Sequence, residues 1–509
     1  MNQTSSRKTQ FDYIIAGAGT AGSVIAARLS EDPERSVLLV EAGSRDALPE
    51  MAIPSAWPTM FGSSADWGDT TVVQEFSGTA IPAPRGRALG GSSSTNAMIF
   101  ARGHRASYDA WVDQGAKGWS YDDLLPYFRR SETTQGRDAG VRGTEGPLSV
   151  GPTAQPCAVI TAGLAAAAQV GYETARDISS GLETGFGLVD GNVENGMRQS
   201  AADAYLRPVL DRVNLHVVTD ALVRRIVVDN GVATGIEYAH AGNDLAATAR
   251  REVILTAGAI GSAHLLLASG IGPAEHLTDV GVEVVLDLPG VGANLHDHPM
   301  STVVYSAGAE LSGDANNMVG QAIGLLETEH ATDGPDLQIV LINLPYASPE
   351  LAGPSSGFAI GFSAITPQSR GQVRLTSPDI TVGPLIDPNY LGVQRDVDVM
   401  AAGLSIARQI GQAEALSGWR DTEMQPGPDV EDANSVRDYL KRSLVVYFHY
   451  SGTCRLGTDE MAVVGLDLRV HGIDGLRVAD ASIMPSSISA NTNATVYAIA
   501  ERAAELITD

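Results

Sequence analysis

At 509 residues the chain exceeds what one ordinary hydrophobic core organises, so two domains, interleaved or sequential, are expected. Its 44% hydrophobic and 18% charged content is that of a globular protein with ample core, and no apolar run approaches the length of a membrane span. A net charge of −26 argues against nucleic-acid and anionic-membrane partners, since phosphate contacts require a basic face.

Met1 to Gln10 are polar with no apolar h-region, so no secretory leader is expected. The two cysteines, Cys157 and Cys454, offer no disulfide framework, which suits a reducing cytoplasm. Phe11-Asp12-Tyr13-Ile14-Ile15-Ala16 predicts a short buried parallel strand, Gly17-Ala18-Gly19-Thr20-Ala21-Gly22 follows it directly, and Ser23 to Leu29 has helical patterning. A second apolar run, Val37 to Val40, ends in Glu41, nineteen residues after Gly22. This is the dinucleotide fingerprint in its strand–turn–helix–strand context. Gly17 makes the tight turn, Gly19 lets the backbone approach a pyrophosphate, and Gly22 lets helix and strand pack closely. The helix start presents free N–H groups and a positive dipole end to the phosphates. Glu41 can accept two hydroxyls from an adenosine ribose and would repel a 2′-phosphate. The fingerprint alone does not choose NAD over FAD.

Pro49, Pro54, Pro58, Pro82 and Pro84 punctuate long irregular loops. Gly86 to Asn96 predicts the start of a small-residue helix, past which a flat ligand could approach the backbone. Tyr108 to Phe128 alternates aromatic anchors with turn residues and is expected to cap a domain face. Asn214 to Tyr238 predicts strands joined by an Asp229-Asn230-Gly231 hairpin turn. Arg251 to Thr256 predicts another strand, and Ala257-Gly258-Ala259-Ile260-Gly261-Ser262 leads into a helix over Leu265 to Ala268. From about 300 to 445 the glycine loops cease and a separate α+β layer is expected. A final amphipathic helix carries Val496, Ile499, Ala500, Ala503, Leu506 and Ile507 on one face.

Near the C-terminus a β-branched and aromatic run, Val445 to Phe448, ends in His449, and Asn491-Thr492-Asn493 opens the final helix. A neutral imidazole can take an alcohol proton while a hydride leaves the adjacent carbon. Read alone, His449 is equally a satisfied core histidine and Asn491 an N-cap. His296 and His298 have ligand-like spacing, but no third His or Cys cluster accompanies them, and no metal site is expected.

Taken together, these segments resemble the glucose–methanol–choline (GMC) family of flavoprotein oxidoreductases. The resemblance rests on the Gly17–Gly22 loop with Glu41, Gly86-Arg87-x-Leu89-Gly90-Gly91-Ser92-Ser93, Trp119-Ser120-Tyr121 with Leu125-Pro126-Tyr127-Phe128, and Gly258-Ala259-Ile260. It continues through Ser269-Gly270-Ile271-Gly272-Pro273, Pro289-Gly290-Val291-Gly292-x-Asn294-Leu295-x-Asp297-His298, His449-x-x-Gly452-Thr453, and Asp480-Ala481-Ser482-x-Met484-Pro485 through Asn491.

The resemblance implies an α/β fold, with a Rossmann-like FAD-binding domain and a second, α+β substrate domain containing an antiparallel sheet. The flavin domain is expected to be discontinuous (1–155, 200–300 and 445–509), leaving 156–199 and 301–444 to the substrate domain. By family position His449 is the base or alkoxide-stabilising group and Asn491 its hydrogen-bonding partner. FAD contacts are implied for Gly17, Gly19, Thr20, Ala21, Gly22, Glu41, Ala42, Arg87, Gly91 and Ser92. Asn96 and Ala97 should lie near the isoalloxazine, and Val223 where the family's backbone holds adenine. Ala257, Gly258, Asp480 and Ala481 should lie against the rest of the cofactor, and Asn491 and Thr492 at the helix start facing the flavin ring. Phe448 and Tyr450 are expected in the substrate pocket.

Three departures from the family pattern matter. Thr95 stands where some members carry a histidine bonded to the flavin, so FAD should be non-covalent. Tyr450 replaces a common proline, and Asn491 replaces a second histidine, as in choline-oxidase-like and hydroxymethyl-aromatic alcohol oxidases. The expected activity is oxidation of a primary alcohol to an aldehyde with O2 giving H2O2, on a small aromatic or heteroaromatic alcohol of pyridoxine-like or hydroxymethyl-furan-like type. A dehydrogenase using a quinone or dye acceptor, a choline-type oxidase, a cyanohydrin lyase and a non-catalytic FAD-binding protein stay open, as do monomer and homodimer.

Overall fold

The computed structural model describes residues 9–45, 48–307, 311, 314–348 and 350–508, so most of the polar N-terminal stretch lies outside the described residues. The first strand, Gln10–Ala16, is buried from Phe11 onward, as its unbroken apolar run requires of a strand covered on both faces. Val37–Val40 pairs parallel on one side of it and Asn243–Leu255 on the other, and Leu215–Val218 extends the sheet beyond Val37–Val40. The helix Thr20–Leu29 leaves the glycine loop between the first two strands, completing the expected βαβ unit.

The long strand Asn243–Leu255 serves two sets of neighbours. Its first half pairs antiparallel with Val232–His240, which returns to Ala221–Asp229 across the anticipated turn. There Asn230 and Gly231 both take positive φ (50° and 80°), the twist a two-residue hairpin favours. Its second half, which contains the expected 251–256 strand, holds Leu476–Val478 in parallel. The following helix is longer than the sequence predicts, spanning Gly258–Ala268. The final helix, Asn493–Thr508, packs along Thr20–Leu29, where Arg28 reaches the buried Glu501 carboxylate at 2.7 Å.

Two stretches differ from their sequence reading. The 86–96 segment holds a single 3-10 turn, Gly91–Ser94, rather than the start of a longer helix. Gly90 and Gly91 both adopt left-handed φ (92° and 54°), and the Ser93 and Ser94 hydroxyls donate to the Gly90 and Leu89 carbonyls. Serine side chains bonding the local backbone in this way compete with helix propagation. The 108–128 stretch forms two helices, Arg105–Asp113 and Tyr121–Ser131, the second opened by a Ser120–Asp123 capping box. Tyr108, Trp111, Trp119, Tyr121 and Phe128 are buried, and the second of the two helices packs on the final helix.

The second sheet is antiparallel, in the order Glu423–Gln425, Pro299–Ser306, Gly357–Ala364, Leu337–Ile342, Gly320–Leu326, Gly185–Leu188. Helix Gln394–Gln412 packs against its central strands. Val445–Val446 joins it by pairing with Pro299 and Met300. These four residues fall in the segments assigned from sequence to the flavin domain, so this sheet begins earlier and ends later than the expected boundaries. The shift has a consequence: the strand that precedes His449 is hydrogen-bonded to the strand that follows His298. Among the described residues no helix is long and apolar enough to cross a membrane.

A Cβ added at Gly22 would stand 1.9 Å from the Gly17 carbonyl oxygen and 2.7 Å from Thr256 Oγ1. Gly22→Ala is therefore expected to destabilise the fold by about 1–3 kcal/mol, the usual range for overpacking, and to weaken cofactor retention. A thermal melt with a parallel measurement of bound flavin checks this, and an unchanged melting midpoint would contradict it.

Candidate active site

A cavity runs from the C-terminal ends of the parallel strands to the antiparallel sheet. At one end it is lined by Gly17, Gly19, Thr20 and Ala21 of the glycine loop, Glu41 and Ala42 after the second strand, and Val223 on the first strand of the hairpin. Gly91, Ser92, Ala257 and Gly258 line its middle, with Thr95 beside Asn96 and Ala97. Asp480, Ala481, Asn491, Thr492 and Asn493 complete the wall toward His449, Phe448 and Tyr450. Residues from segments hundreds of positions apart thus share one wall. Two of the residues singled out from sequence stand behind it. Gly22 packs against the Gly17 carbonyl, and the Arg87 guanidinium lies over the Trp67 ring at 5.2 Å from its centroid. The signal missed there is Arg85, which does line the cavity and covers the same ring at 4.5 Å.

The donor set at this end fits a dinucleotide. A Cβ on Gly91 would come within 2.7 Å of Gly19 Cα, so the two loops meet backbone to backbone and leave main-chain groups open to a ligand. Glu41 Oε2 accepts from Ala18 N–H at 2.7 Å and Oε1 from Gly43 N–H at 2.8 Å, and each oxygen keeps a second lone pair for a hydroxyl. Burial raises the Glu41 pKa, opposed by those bonds and by Arg87. Asn493 Nδ2 and Asn491 Oδ1 are buried with no partner in the protein, at the start of the final helix. Asp480 is used differently. Its carboxylate accepts from Gly258 N–H (2.9 Å), Ser262 Oγ–H (2.6 Å) and Ser482 N–H (2.8 Å), so it fastens its own turn to the start of the Gly258–Ala268 helix.

At the other end His449 is buried, with Nε2 3.1 Å from Asn491 Nδ2 and Nδ1 2.8 Å from His298 Nδ1. Burial, with a smaller contribution from His298, holds its pKa well below the usual histidine value, so the ring is neutral near pH 7. The backbone reaches this position through Phe448 at φ 65°, a left-handed conformation that costs a non-glycine residue about 1–2 kcal/mol. The His449 N–H then donates to Asp297 Oδ1 at 2.6 Å, while the Tyr390 hydroxyl donates to Asp297 Oδ2. Backbone N–H groups of His298 and Tyr447 also favour the ionised carboxylate, but burial outweighs all of these and pushes Asp297 up to about 6.

Phe448 belongs to an aromatic chamber. Its ring lies 5.4 Å from Phe61 and 6.3 Å from Trp57, and Trp57 packs against Phe61 at 5.5 Å and Tyr346 at 6.0 Å. Met300, Val340 and Ile342 of the antiparallel sheet close it. Tyr450, expected beside Phe448 in the pocket, lines the cavity on another side, with Asp297, Tyr390, Asp69 and Arg85 around its hydroxyl. Adjacent residues diverge because Phe448 occupies the left-handed turn. His104 does not enter the cavity; it caps the Arg105–Asp113 helix, and Cys454 is buried with its thiol pushed far up by desolvation. Trp57, Phe61, Tyr346, Asp297 and His298 were not singled out as site residues. His298 carried a usable signal, since Asp297-His298 closes a glycine motif just ahead of a strand, but the His296-x-His298 spacing points toward metals instead. Among the described residues no cluster of three or more His, Cys, Asp or Glu is set to hold an ion.

Because Asp297 binds its proton more tightly folded than unfolded, where a carboxyl titrates near 3.9, it contributes stability that is present near pH 4 and lost as pH rises through about 6. The stability of wild type relative to Asp297→Asn is expected to fall between pH 4.5 and 7 by about 2 kcal/mol. Denaturant unfolding at pH 4.5 and 7 measures the difference, and a pH-independent gap would contradict the assignment.

Comparison with known proteins gives the following relations. A family model described as GMC oxidoreductase matches residues 11–300, and the C-terminal GMC oxidoreductase model matches 367–500. An uncharacterized GMC-type oxidoreductase of Mycobacterium tuberculosis is 39% identical, covering 98% of this chain and 99% of its own. An oxygen-dependent choline dehydrogenase of Rhizobium etli is 38% identical over 98% of this chain and 95% of its own. Among solved structures, pyridoxine 4-oxidase from Mesorbium loti superposes with a TM-score of 0.93 at 35% identity, covering 97% of this chain and 98% of that one.

Proposed function

This chain belongs to the GMC oxidoreductases, FAD enzymes acting on alcohol-type donors, and we propose that it oxidises a small aromatic or heteroaromatic primary alcohol to its aldehyde, with O2 as acceptor and H2O2 as product. The observation that carries this reading is the placement of the neutral His449–Asn491 pair at the floor of an aromatic chamber, on the same cavity as the dinucleotide cradle.

When bound, FAD supplies the hydride acceptor. The chain's own residues do the rest. Trp57, Phe61, Tyr346 and Phe448 enclose a planar ring and exclude water, which fixes the hydroxymethyl carbon and strengthens every polar contact around it. His449 takes the hydroxyl proton as the C–H bond breaks, and Asn491 holds the developing alkoxide oxygen. Sharing the work between a base and a neutral amide avoids a second buried cation beside it.

The aromatic rings of this chamber would also attract a quaternary ammonium, and a choline dehydrogenase is among the relatives, so what weighs against choline is the state of the carboxylates. A quaternary ammonium calls for a free carboxylate, and the acidic groups of this cavity are already engaged. Backbone N–H groups hold Glu41 and Asp480, Asp66 accepts from Gly62, Gly68 and Arg85 N–H, and Asp69 is paired with the Arg85 guanidinium. The likeness to pyridoxine 4-oxidase supports a pyridine-type alcohol. Passage of electrons to a quinone or dye is the second reading, and the oxygen-dependent choline dehydrogenase among the relatives does not favour it over O2. That the chain has only two cysteines, Cys157 and Cys454, supports a cytoplasmic location.

Three outcomes are expected. Anaerobic mixing with benzylic, furanic and pyridine methanols bleaches the flavin, and air then yields stoichiometric peroxide; dye reduction without peroxide would overturn the oxidase reading. His449→Ala lowers the rate of flavin reduction by about 10²–10⁴-fold, the range general-base catalysis supplies, with FAD still bound. Acid or heat denaturation releases all flavin into the filtrate, because Thr95 offers no side chain for a covalent link; retained yellow protein would contradict that.

A further inference from the structure

Behind His449, on the side away from Asn491, lies a second imidazole. His298 Nδ1 is 2.8 Å from His449 Nδ1, the two rings meet edge to face at 5.0 Å between centroids, and both side chains are buried. Two ring nitrogens at that distance share one proton, since two bare lone pairs or two N–H groups would repel. The backbone carbonyls of Ile365 and Ile488 hydrogen-bond the His298 ring, and carbonyls only accept. With Nδ1 committed to His449, the nitrogen facing them is Nε2, and it carries a proton. Burial keeps His298 neutral, its pKa pushed down to about 3, so it has no second proton to give. The other polar groups around the pair are Tyr447, whose hydroxyl donates to Gln338 at 2.7 Å, and Asn491; the adjacent Asp297 carboxylate faces backbone N–H groups and Tyr390.

We propose that His298 is a positioning residue that fixes the tautomer of His449, accepting its Nδ1–H and so leaving Nε2 bare toward Asn491 and the substrate hydroxyl. The assignment also sets the Asn491 amide, because a bare Nε2 requires the amide nitrogen to face it. This agrees with the 3.1 Å Nδ2 contact and with an Oδ1 that has no protein partner. When the alcohol binds, its hydroxyl takes the place of the Asn491 N–H at the single Nε2 lone pair, and the amide turns to the alcohol oxygen. As the O–H breaks, the proton bonds to His449 Nε2, and the imidazolium charge is relieved through the Nδ1–H bond to a neutral acceptor rather than to a carboxylate. The ring is thereby kept a moderate base, able to give the proton up again after the aldehyde leaves. The tautomer is set in the resting protein, so it does not depend on which alcohol is used, though its catalytic meaning rests on the activity proposed above.

Nitrogen shifts of ¹⁵N-histidine-labelled holoenzyme without substrate, with His449 assigned through His449→Gln, read the tautomer directly. A protonated Nδ1 and a bare Nε2 are expected, and the reverse pattern would overturn the proposal whether or not any tested alcohol is a substrate. In FAD-loaded variants, His298→Leu is expected to slow anaerobic flavin reduction roughly 10- to 100-fold with little change in KM, because the base loses both its tautomer and its orientation. His298→Gln, which retains an acceptor oxygen, should recover most of that loss. Equal losses in both variants, or a wild-type rate and pH profile in His298→Leu, would refute the assignment.

Discussion

The His449 end of the cavity hangs on one buried carboxylate. Asp297 accepts the backbone N–H of His449 immediately after the chain has passed through the left-handed Phe448, and it accepts the Tyr390 hydroxyl on its other oxygen. Leaving the buried His449 N–H without an acceptor would cost about 1–3 kcal/mol, comparable to the cost of a non-glycine residue at positive φ. Asp297 thereby offsets the strain that turns Phe448 into the aromatic chamber and His449 toward Asn491. Its neighbour His298 reaches the far side of the same imidazole, so two consecutive residues hold the backbone and the ring of His449 separately. That control is available because Pro299–Met300 and Val445–Val446 are ladder partners, which brings both dipeptides to the same level.

The cofactor end is assembled by a different principle. The parallel strands deliver the glycine loop, Glu41 and the Ala257-Gly258 turn to one edge, the C-terminal edge at which α/β sheets bind ligands. The loop carrying Gly91 approaches Gly19 so closely that no side chain could intervene. Asp480 then bonds the strand end of Leu476–Val478 to the Gly258 helix through Ser262 and the Gly258 N–H. The wall is therefore rigid where a pyrophosphate would need fixed N–H groups, and apolar where a ring would need close packing.

Much of this was legible in the amino-acid order, and the exceptions have physical reasons. The fingerprint from Phe11 to Glu41 is local, since strand, turn and helix each follow from residues within a few positions, and it appears in the structure as read. The His449–Asn491 pairing required long-range information, which the ordered motifs supplied and the spacing did not. The 86–96 segment misled because small residues suit both a helix and a close-packed turn, and the Ser93 and Ser94 hydroxyls decide for the turn. Tyr450, expected in the pocket wall because it replaces a family proline, lines the cavity, and the positive φ of Phe448 sets it among different neighbours from those of the Phe448 ring. Trp57 and Phe61 sit around a proline-punctuated 3-10 segment, Pro54–Met60, with no periodicity to point at their partners.

The unequal backbone freedom of the chamber residues bears on how such a pocket changes over time. Phe448 is itself the left-handed residue, one step before His449, so an exchange there perturbs the placement of His449. Trp57 and Phe61 come from an irregular stretch whose side chains meet Phe448 only at their ring edges and faces. On the proposed activity, exchanges within residues 54–61 would reshape the chamber while leaving the backbone of His449 in place. On that activity, the residues that would read the substrate and the one that would react with it stand on separate stretches of backbone, one irregular and one pinned by Asp297.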